Sequence, residues 1–401
     1  MTGRKIVAFA VLLLVIIVNV REALAASTVD SPTTDDATIW SFQRKSFYAN
    51  GRFWVFYCDG SNMAFKTSTD GTSWSSKTTI RSCTAADQFS VWFDGTYFHY
   101  AYCAGGSIYY RRGTPESDGT VTWSAGEQTA ISGTNYLPCI AVDSNGYPWI
   151  GYHQNKRPMV AKSSKNDGTW ATQFTQDLTD WDMTYAIVVP VPLTNGKMAC
   201  IYTSYNQRIR LKSWSGSAWN NEWRTASADV CVYQNSGISA VAQGDTVHVV
   251  FLTGSYAIKY TSYTYDSNWS SSVTVQSSVT STSTPVLSID TVNNNLYCFW
   301  AGSPTADHVY YKKRVGGTWD SSPTDWINEA TDHLTGNSAL TCFYSSYSYK
   351  IGLVYMTKTS SPYNVRFEFL TMPVVPEYPF GPFLILLVCF FIYLIARRHY
   401  S

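Results

Sequence analysis

Short apolar stretches alternate with polar turns over most of the chain, in an order that repeats. Each copy has an apolar strand, a Gly or Asn turn, a Tyr-rich strand, a second turn, a third strand with Lys or Arg, and a Gly or Asp turn that ends at Trp. In the second copy these are Phe89–Phe93, the Asp-Gly turn at 94–95, residues 97–103 and 107–112, and Trp123. Asp-Gly between alternating apolar runs is a strong hairpin signal. The pattern therefore predicts antiparallel hairpins along the chain.

The tryptophans that close the copies are separated by 49, 47, 49, 50 and 50 residues, which sets the period of the repeat. They are Trp74, Trp123, Trp170, Trp219, Trp269 and Trp319. A seventh copy, residues 338–370, has three strands and no Trp. Repeats of about 48 residues with four strands each are typical of propeller blades. We predict an all-β chain folded as a β-propeller of about seven four-stranded blades.

The ring of a propeller must close, and the seventh copy lacks its fourth strand. A strand from the other terminus usually closes such a ring, and residues 37–43 are placed to supply it. The propeller is then expected to span residues 26–372. The composition agrees with an all-β chain, since charged residues make up only 14% while the chain has 29 Tyr and 15 Trp.

The first 25 residues have the three parts of a secretory signal peptide. Arg4 and Lys5 precede an apolar run over residues 6–20, and Ala23-Leu24-Ala25 provides a small-residue cleavage site. An uncleaved N-terminal anchor is the alternative, although the 15 apolar residues fall short of the ~20 that span a bilayer. We therefore expect an exported protein.

The C-terminal end is predicted to hold the protein in a membrane. Residues 383–396 are almost wholly apolar, and Arg397 and Arg398 follow them, which marks the cytoplasmic side. This pattern predicts a transmembrane segment at 383–396, a cytoplasmic tail at 397–401 and a propeller on the extracellular face. Residues 373–382 form a linker whose Val-Pro-Glu-Tyr-Pro sequence resembles the sorting signals of archaeal PEF-CTERM proteins. The resemblance implies an archaeal cell surface, where a sortase-like enzyme removes such tails.

The charge balance argues against a nucleic acid as partner. The chain has 29 basic and 28 acidic residues, and the part outside the two ends carries a net charge of about −3. Phosphate binding needs a basic surface, which this balance does not provide.

Eight cysteines lie outside the tail, which carries Cys389, and an exported chain can oxidise them. Four lie in or at the end of second strands, and four lie in or just before the first strands of the following blades. Where one kind is missing from a blade, its counterpart in the next blade is missing too. We predict the disulfides Cys58–Cys83, Cys103–Cys139, Cys200–Cys231 and Cys298–Cys342. Eight reduced, buried cysteines are the alternative.

Two of the turns that end at Trp point to a protein family. They are Ser68-Thr69-Asp70-Gly71-Thr72-Ser73-Trp74 and Ser117-Asp118-Gly119-Thr120-Val121-Thr122-Trp123. These segments resemble the Asp-boxes of sialidase-like, or BNR-repeat, propellers, in which a short polar side chain bonds turn amides while Trp packs inward. The resemblance covers residues 40–370. It implies the fold alone, because Asp-boxes lie at blade edges away from sialidase active sites.

The catalytic residues of sialidases do not carry over to this chain. Those enzymes hold the substrate carboxylate with three arginines, the first in an Arg-Ile-Pro motif, which is absent here. Arg44 is the only arginine near the start of the first blade, and Lys45-Ser46 follow it. The six histidines form no His-Glu-x-x-His motif and no Cys-x-x-Cys occurs, so no metal or other cofactor is predicted. We assign no catalytic residue, and the balance is against an enzyme.

Ligand sites favour loops on rigid scaffolds, and two sets of propeller loops gather on one face around the central channel. They are the loops between second and third strands and the loops that join one blade to the next. Each joining loop brings a polar residue to a first strand, which predicts a polar ring at the channel mouth. The ring consists of Asp87, Asn135, Asp182, Asn235, Ser283 and Asn337. Ordinary turn chemistry at strand starts is the alternative.

Further polar and aromatic side chains are expected on the same face. They are His153, Lys156, Arg157, Trp181, Arg208, Asp307, His308 and His333. Cationic donors beside an exposed Trp suit sugars or acidic glycans, through stacking and hydrogen bonds. A solvated rim without function is the alternative. Asn268, in the sequon Asn268-Trp269-Ser270, is predicted either to carry a glycan or to serve only in a turn.

Three functions fit this sequence. The first is a recognition or adhesion module at the cell surface for glycans or envelope proteins, favoured by the anchor and the lack of a catalytic motif. The second is an exo-acting glycoside hydrolase of the sialidase-like group, which would need clustered carboxyl groups and arginines at the channel mouth. The third is a structural component of the cell envelope.

Overall fold

The alternating apolar stretches fold into seven antiparallel sheets, which are the blades of a propeller. The computed structural model describes residues 26–84, 88–124, 126–178, 186–203, 208–224, 237–335 and 340–372. Within these ranges every element of regular secondary structure is a β-strand, so the prediction of an all-β propeller with seven blades is confirmed. In each of the first six blades the first strand lies nearest the axis, because the first strands of neighbouring blades contact one another.

The chain begins with β1 (Ser27–Asp30) and then builds the blades in order. Blade 1 contains β2 (Ser46–Ala49), β3 (Arg52–Cys58), β4 (Asn62–Ser68) and β5 (Thr78–Ser82). Blade 2 contains β6 (Phe89–Phe93), β7 (Phe98–Ala104), β8 (Ser107–Pro115), β9 (Val121–Trp123) and β10 (Gln128–Ile131). Blade 3 contains β11 (Asn135–Val142), β12 (Pro148–Gln154), β13 (Arg157–Ser163) and β14 (Trp170–Asp177). Blade 4 contains β15 (Val188–Pro192), β16 (Met198–Thr203), β17 (Ile209–Trp214) and β18 (Trp219–Arg224).

The last three blades complete the ring. Blade 5 contains β19 (Ile238–Gln243), β20 (Thr246–Leu252), β21 (Ile258–Thr264) and β22 (Val273–Gln276). Blade 6 contains β23 (Val286–Asp290), β24 (Asn295–Ala301), β25 (His308–Val315), β26 (Thr318–Trp319) and β27 (Thr324–Asn328). Blade 7 contains β28 (Thr341–Cys342), β29 (Lys350–Thr357) and β30 (Asn364–Thr371), with β1 as its outer strand.

The tryptophans that set the sequence repeat pack between blades. The buried apolar residues form seven clusters, one for each pair of neighbouring blades, and each repeat Trp belongs to or packs against the cluster shared with the preceding blade. Trp170 meets Tyr110 of blade 2 at 5.3 Å between ring centroids, and Trp219 meets Trp149 of blade 3 at 5.9 Å, both edge to face. The period of 47 to 50 residues is therefore the spacing of the blade interfaces.

The turn that precedes Trp74 shows what its polar residues contribute. Asp70 Oδ1 accepts hydrogen bonds of 2.7 Å from the amides of Ser73 and Thr72, and these bonds hold the pKa of Asp70 well below its usual range. Gly71 has a φ of 80°, and a Cβ there would come within 2.7 Å of the Phe369 ring of blade 7. The Asp and the Gly of this turn thus shape a loop that fits closely against the neighbouring blade.

The ring closes with β1, which pairs antiparallel with β30. The prediction that residues 37–43 form the closing strand is wrong, because those residues adopt turns and lie at the axis. Val29 of β1 is only 2% exposed, in the cluster between blades 7 and 1. Asp30 accepts a hydrogen bond from Tyr57 and pairs with Lys66 at 3.1 Å, both in blade 1. The closing strand therefore joins the last blade to the first.

Residues 37–45 run from the interface of blades 7 and 1, where Ala37 is buried, into the axis of the ring, where the sequence analysis expected a central channel. Phe42 is buried among the inner strands of blades 3 to 5. The Gln43 amide donates to the Pro138 carbonyl of blade 3 at 2.7 Å, and Thr341 of blade 7 donates to the Gln43 carbonyl at 3.1 Å. We call this stretch the axial segment. It closes the channel from within by contacts with several blades.

Two cations of the axial segment are buried without a carboxylate partner among the described residues. The Arg44 guanidinium donates to the carbonyls of Ala240, Leu287 and Cys342 at 3.0–3.2 Å, in blades 5, 6 and 7. The Lys45 ammonium donates to Gln43 Oε1 and to the Phe89 carbonyl of blade 2, and its complete burial holds its pKa well below the usual value. The two side chains bind together inner strands that share no sheet.

Burial also affects His248, whose ring bonds the Tyr260 hydroxyl at 2.8 Å. Burial, with Arg314 nearby, lowers the pKa of His248 to about 4. The unfolded chain binds this proton near pH 6.5, so the stability that neutral His248 provides is present above about pH 6.5 and is lost as the pH falls towards about 4. At about pH 4.5 the loss is about 2 to 3 kcal/mol.

We therefore expect urea unfolding to show a smaller drop in the free energy of unfolding between about pH 7.5 and 4.5 for His248→Gln than for the unaltered protein. Tyr256→Gln, which replaces an exposed side chain of the same blade and removes no histidine, is the control and should leave the drop unaltered. An unchanged drop in His248→Gln would show that this ring does not govern the acid sensitivity.

The predicted disulfides Cys58–Cys83, Cys103–Cys139 and Cys298–Cys342 are not formed in this structure, where these six cysteines carry thiols. Side chains alternate between the two faces of a sheet, and this alternation separates the partners of two of these pairs. Cys298 packs between blades 5 and 6, whereas Cys342 packs between blades 6 and 7. Cys103 packs between blades 2 and 3, whereas Cys139 belongs to the cluster of the axis and blades 4 and 5.

The other two predicted pairs differ from each other. Cys58 and Cys83 share the interface of blades 1 and 2, where the Cys58 thiol donates to the Thr84 carbonyl at 3.3 Å. Cys200 packs between blades 3 and 4, and its predicted partner Cys231 lies outside the described residues.

The predicted signal peptide at 1–25 and the predicted linker, transmembrane segment and tail from residue 373 onwards also lie outside the described residues. Across the part of the chain that the structure describes, no helix has the length and apolar character needed to cross a membrane.

Candidate functional site

The two faces of the ring carry different loops. We call the face on which the first strands begin the upper face; it holds the blade-joining loops and the loops between second and third strands. The lower face holds the loops between first and second strands and those between third and fourth strands. The predicted ligand-binding residues that the structure describes lie on the upper face, in blades 3, 4 and 6. Asn268, the predicted glycosylation site, is exposed in the turn between β21 and β22 on the lower face.

Two members of the predicted polar ring make local hydrogen bonds. Asn135 is fully buried at the start of β11, and its amide donates to the Gly106 carbonyl at 2.8 Å. Ser283, also buried, donates to the Ala301 carbonyl at 2.7 Å. Both side chains fix loops of the upper face and face no opening. Five predicted residues lie outside the described part of the chain: Asp87, Trp181, Asp182, Asn235 and Asn337.

The polar residues of blade 3 are spread over a tight hairpin turn. Lys156 is exposed, with a φ of 63°, and Arg157 Nη1 lies 3.3 Å from Asp177 Oδ2. His153 is 6% exposed, and its ring centroid lies 6.2 Å from that of Tyr136, which is 43% exposed. Arg208 in blade 4 is exposed ahead of β17.

The polar residues of blade 6 form two separate pairs. His333 Nδ1 lies 2.8 Å from Asp307 Oδ2, and Asp307 Oδ1 also accepts a hydrogen bond from the Leu334 amide. His308 Nδ1 lies 2.8 Å from Asp325 Oδ2. The first pair joins two loops, and the second joins β25 to β27. The structure therefore brings together His333 with Asp307, but it does not gather the described upper-face residues into one site, because the axial segment occupies the middle of the ring.

A cavity near the axis opens on the lower face. Loops between the first and second strands of blades 2, 3, 4, 5 and 7 converge there and enclose a cavity of about 720 Å³. We call it the axial cavity. Its lining includes Trp92, Asp94, Thr96, Tyr97, Asp143, Ser144, Asn166, Thr194, Tyr344, Ser345 and Tyr347.

Aromatic rings form the base of the axial cavity. The rings of Trp92 and Tyr344 meet at 4.4 Å between centroids, and the Tyr344 hydroxyl accepts a hydrogen bond of 2.8 Å from the Ala242 amide. Behind Tyr344 lies the Arg44 guanidinium, 5.6 Å from the ring centre. The cavity is therefore open on the lower face and closed towards the axis. Burial raises the pKa of Tyr347 to about 12, so this phenol is neutral at physiological pH.

The two carboxylates in the wall hold the loops in place. Asp94 Oδ1 accepts hydrogen bonds from the amides of Thr96 and Tyr97, at 2.8 and 2.7 Å. Asp143 repeats the arrangement in blade 3, where Oδ1 binds two turn amides and Oδ2 accepts a hydrogen bond of 2.8 Å from the Trp149 indole. Each carboxylate thus determines the shape of one loop at the rim.

A buried histidine supports the Asp94 loop from behind. The His99 ring lies 2.9 Å from Asp94 Oδ2 and 2.7 Å from the Tyr110 hydroxyl. Burial lowers the pKa of His99, although Asp94 opposes the shift. The pKa of Asp94 is itself held below its usual value, since the bonds from His99 and the turn amides outweigh the effect of burial. Asp94 is therefore ionised and fixed.

The rim loops are also bound to one another. Ser144 of blade 3 accepts a hydrogen bond of 2.7 Å from the Gly196 amide of blade 4. Thr194 of blade 4 donates to Asp245 of blade 5 at 2.6 Å. These bonds link successive blades around the opening, so the cavity is formed before any ligand arrives.

This arrangement suits binding better than hydrolysis. A glycosidase needs one carboxyl group that can donate a proton, and the oxygens of Asp94 and Asp143 already accept hydrogen bonds from amides, an imidazole or an indole. Among the described residues no three His, Cys, Asp or Glu side chains are grouped so that they could hold a metal ion. Aromatic rings with neutral polar groups remain as the chemistry of the cavity.

Sequence analysis missed the axial cavity because it placed ligands on the upper face. A signal was nevertheless present, since an Asp recurs at or just after the end of the first strand in blades 2, 3 and 6, as Asp94, Asp143 and Asp290. Asp290 Oδ1 accepts a hydrogen bond of 3.0 Å from the Val292 amide, in the manner of the other two. A repeated Asp at this phase indicates lower-face loops of fixed shape.

Comparisons with known proteins place the fold. No family model and no curated protein matches the chain. Among solved structures, the BP39L lectin of Burkholderia pseudomallei matches with a TM-score of 0.61 and 9% identity, over 84% of this chain and 96% of the lectin. A polysaccharide lyase of family PL25, an ulvan lyase, matches with a TM-score of 0.58 and 10% identity, over 86% and 95%. The WD40 domain of coronin from Toxoplasma gondii matches with 0.51 and 12%, over 88% and 90%. At these identities the likeness is one of fold.

Proposed function

We propose that this propeller is a glycan-recognition protein that binds sugars in the axial cavity. The observation that carries the proposal is the base of the cavity, where Trp92 and Tyr344 present aromatic faces below a rim of fixed neutral groups. Sugar rings bind by stacking on such faces while their hydroxyls meet polar groups at the edge. Lectins and a polysaccharide lyase among the structural neighbours show that related folds serve carbohydrates.

The cellular setting is part of the same proposal. The chain is exported by its signal peptide, held at the extracellular face by residues 383–396, and meets glycans or envelope proteins there. Kinship with sialidase-like propellers rests on the Asp-box segments of the sequence and on the turn of Asp70. Arg157 on the upper face is a separate candidate contact for the same class of ligand.

The proposal is tested by replacing Trp92. We expect Trp92→Ala to weaken glycan binding by about 10-fold or more, because the ligand loses its stacking surface. Retention of the purified full-length protein on a glycan array, followed by calorimetry on the best glycan, measures the effect. Trp92→Phe keeps a ring at the base and should retain part of the affinity, which separates loss of the site from loss of the fold.

The matched control is Tyr256→Ala, which removes a ring that is 47% exposed in blade 5 on the upper face. It should bind like the unaltered protein. Arg157→Ala examines the upper-face surface in the same assay. Binding that Trp92→Ala leaves intact and Arg157→Ala abolishes would move the site to the upper face.

A further inference from the structure

We infer that the axial cavity selects uncharged sugars and rejects sulfated sugars and uronic acids. The inference rests on the proposed function and narrows its ligand class. It differs from the expectation drawn from the sequence, where cationic side chains on the upper face favoured acidic glycans as well.

The charges that line the cavity are negative. Among the described residues that line the cavity, the only ionisable side chains other than tyrosines are Asp94 and Asp143, and none is Lys, Arg or His. Both aspartates accept hydrogen bonds from turn amides, and each has a further partner, His99 for Asp94 and Trp149 for Asp143. These bonds prevent either carboxylate from turning away from the cavity.

Three cations near the rim are engaged with groups of the wall. Arg112 donates to Asn166 Oδ1, and its guanidinium lies 4.1 Å from the centre of the Tyr97 ring. Lys197 pairs with Asp245 and lies 4.7 Å from the centre of the Tyr265 ring. Lys162 interacts with the charge of Asp143 and lies 4.2 Å from the centre of the Tyr147 ring. Each is held by a polar partner and a ring, and none belongs to the described lining, so none is positioned to receive a sulfate inside the cavity.

Arg44 lies beneath the base but is directed elsewhere. Its guanidinium donates to the Ala240, Leu287 and Cys342 carbonyls of three inner strands, and the Tyr344 ring lies between it and the cavity. A ligand in the cavity cannot reach these donors. The groups that do face the ligand are phenol, hydroxyl and amide groups, which are uncharged and form hydrogen bonds with sugar hydroxyls.

An anionic sugar would therefore bring its charge near two fixed carboxylates with no cation to oppose them. Its sulfate or carboxylate would lose water and gain no partner, which is the usual basis of rejection in a specific site. We expect a sulfated or uronic form of a bound glycan to bind about 10-fold more weakly than the neutral form.

The experiment is an array that carries neutral oligosaccharides beside their sulfated and uronic counterparts on the same backbone, probed with the full-length protein and with Trp92→Ala. We expect retention that depends on Trp92 on neutral spots, with the charged counterparts at least about 10-fold weaker. Thr96→Lys, which adds a cation at an exposed lining position, should narrow that ratio by improving retention on the sulfated spots.

The outcomes separate the two proposals. Stronger retention on the charged members of the pairs, still dependent on Trp92, overturns the charge selection and leaves the glycan site standing. A Thr96→Lys variant with an unchanged ratio also contradicts the selection, since charge in the cavity would then not decide it. Retention on no glycan through Trp92 overturns the glycan site itself and this inference with it.

Discussion

Replacing Arg44 by methionine is expected to lower the free energy of unfolding by about 3 kcal/mol, because three buried strand carbonyls lose their donor at about 1 kcal/mol each. The guanidinium reaches Ala240, Leu287 and Cys342 in three different blades, so its loss affects closure of the ring as well as local bonding. Methionine approximates the length of the arginine side chain but has no hydrogen-bond donor. Urea unfolding, followed by tryptophan fluorescence, measures the change.

Arg52 provides the matched control for this variant. Its Nε donates to the Ser117 carbonyl at the surface, where water replaces the bond. Arg52→Met should therefore change the free energy of unfolding by only about 0.5 kcal/mol. Similar losses in both variants would contradict a structural role for the axial segment.

Placing an aspartate at Val29 is expected to cost about 4 kcal/mol of stability, because a charge would enter the apolar cluster that joins blades 7 and 1. Val29 is 2% exposed, whereas its neighbour Thr28 is exposed and lies beside the Arg366 guanidinium, at 2.7 Å. Thr28→Asp is thus a control that adds the same side chain one residue away. Since β1 closes the ring, Val29→Asp should also expose the chain to limited proteolysis.

The two variants are compared by urea unfolding and by the rate of trypsin cleavage. We expect a large loss in the free energy of unfolding for Val29→Asp and a loss of less than about 1 kcal/mol for Thr28→Asp. Equal tolerance of both changes would show that the ring does not depend on β1 for closure.

The number of blades could be predicted from the sequence because the repeat Trp residues have the same packing role in every copy. Each packs against the preceding blade, as Trp170 does on Tyr110, so their spacing counts interfaces directly. The hairpin turns were predictable for a similar reason, since Asp-Gly and Asn-Gly pairs supply the φ > 0 positions that such turns require.

The closing strand and the disulfides were beyond the same reasoning. Val29 alternates with polar neighbours over only four residues, too short a stretch to outweigh the apolar residues at 37–43, which instead fill the axis. The positions of the cysteines in the repeat indicate the strand on which each one lies, but not the face of the sheet to which its side chain points. A shift of one residue moves a side chain to the opposite interface, as Cys298 and Cys342 show.

The candidate site is formed by residues that are far apart in the sequence, and the repeat pattern does not indicate which of them meet. Trp92 and Tyr344 are 252 positions apart in the chain and meet at 4.4 Å because the ring closes. Nothing in the local sequence of either residue indicates the other. The described upper-face residues lie on the side of their blades that the sequence predicted, but the axial segment that separates them from one another has no sequence signature.

The most direct test of the glycan site is a crystal structure of the protein with the glycan that the array retains best. We expect a sugar ring stacked on Trp92 at the lower face, with Tyr344 beneath the sugar. The sugar hydroxyls should lie among the Thr96 and Ser345 side chains. A sugar bound at the upper face beside Arg157, or in a groove between two blades, would contradict the axial cavity as the binding site.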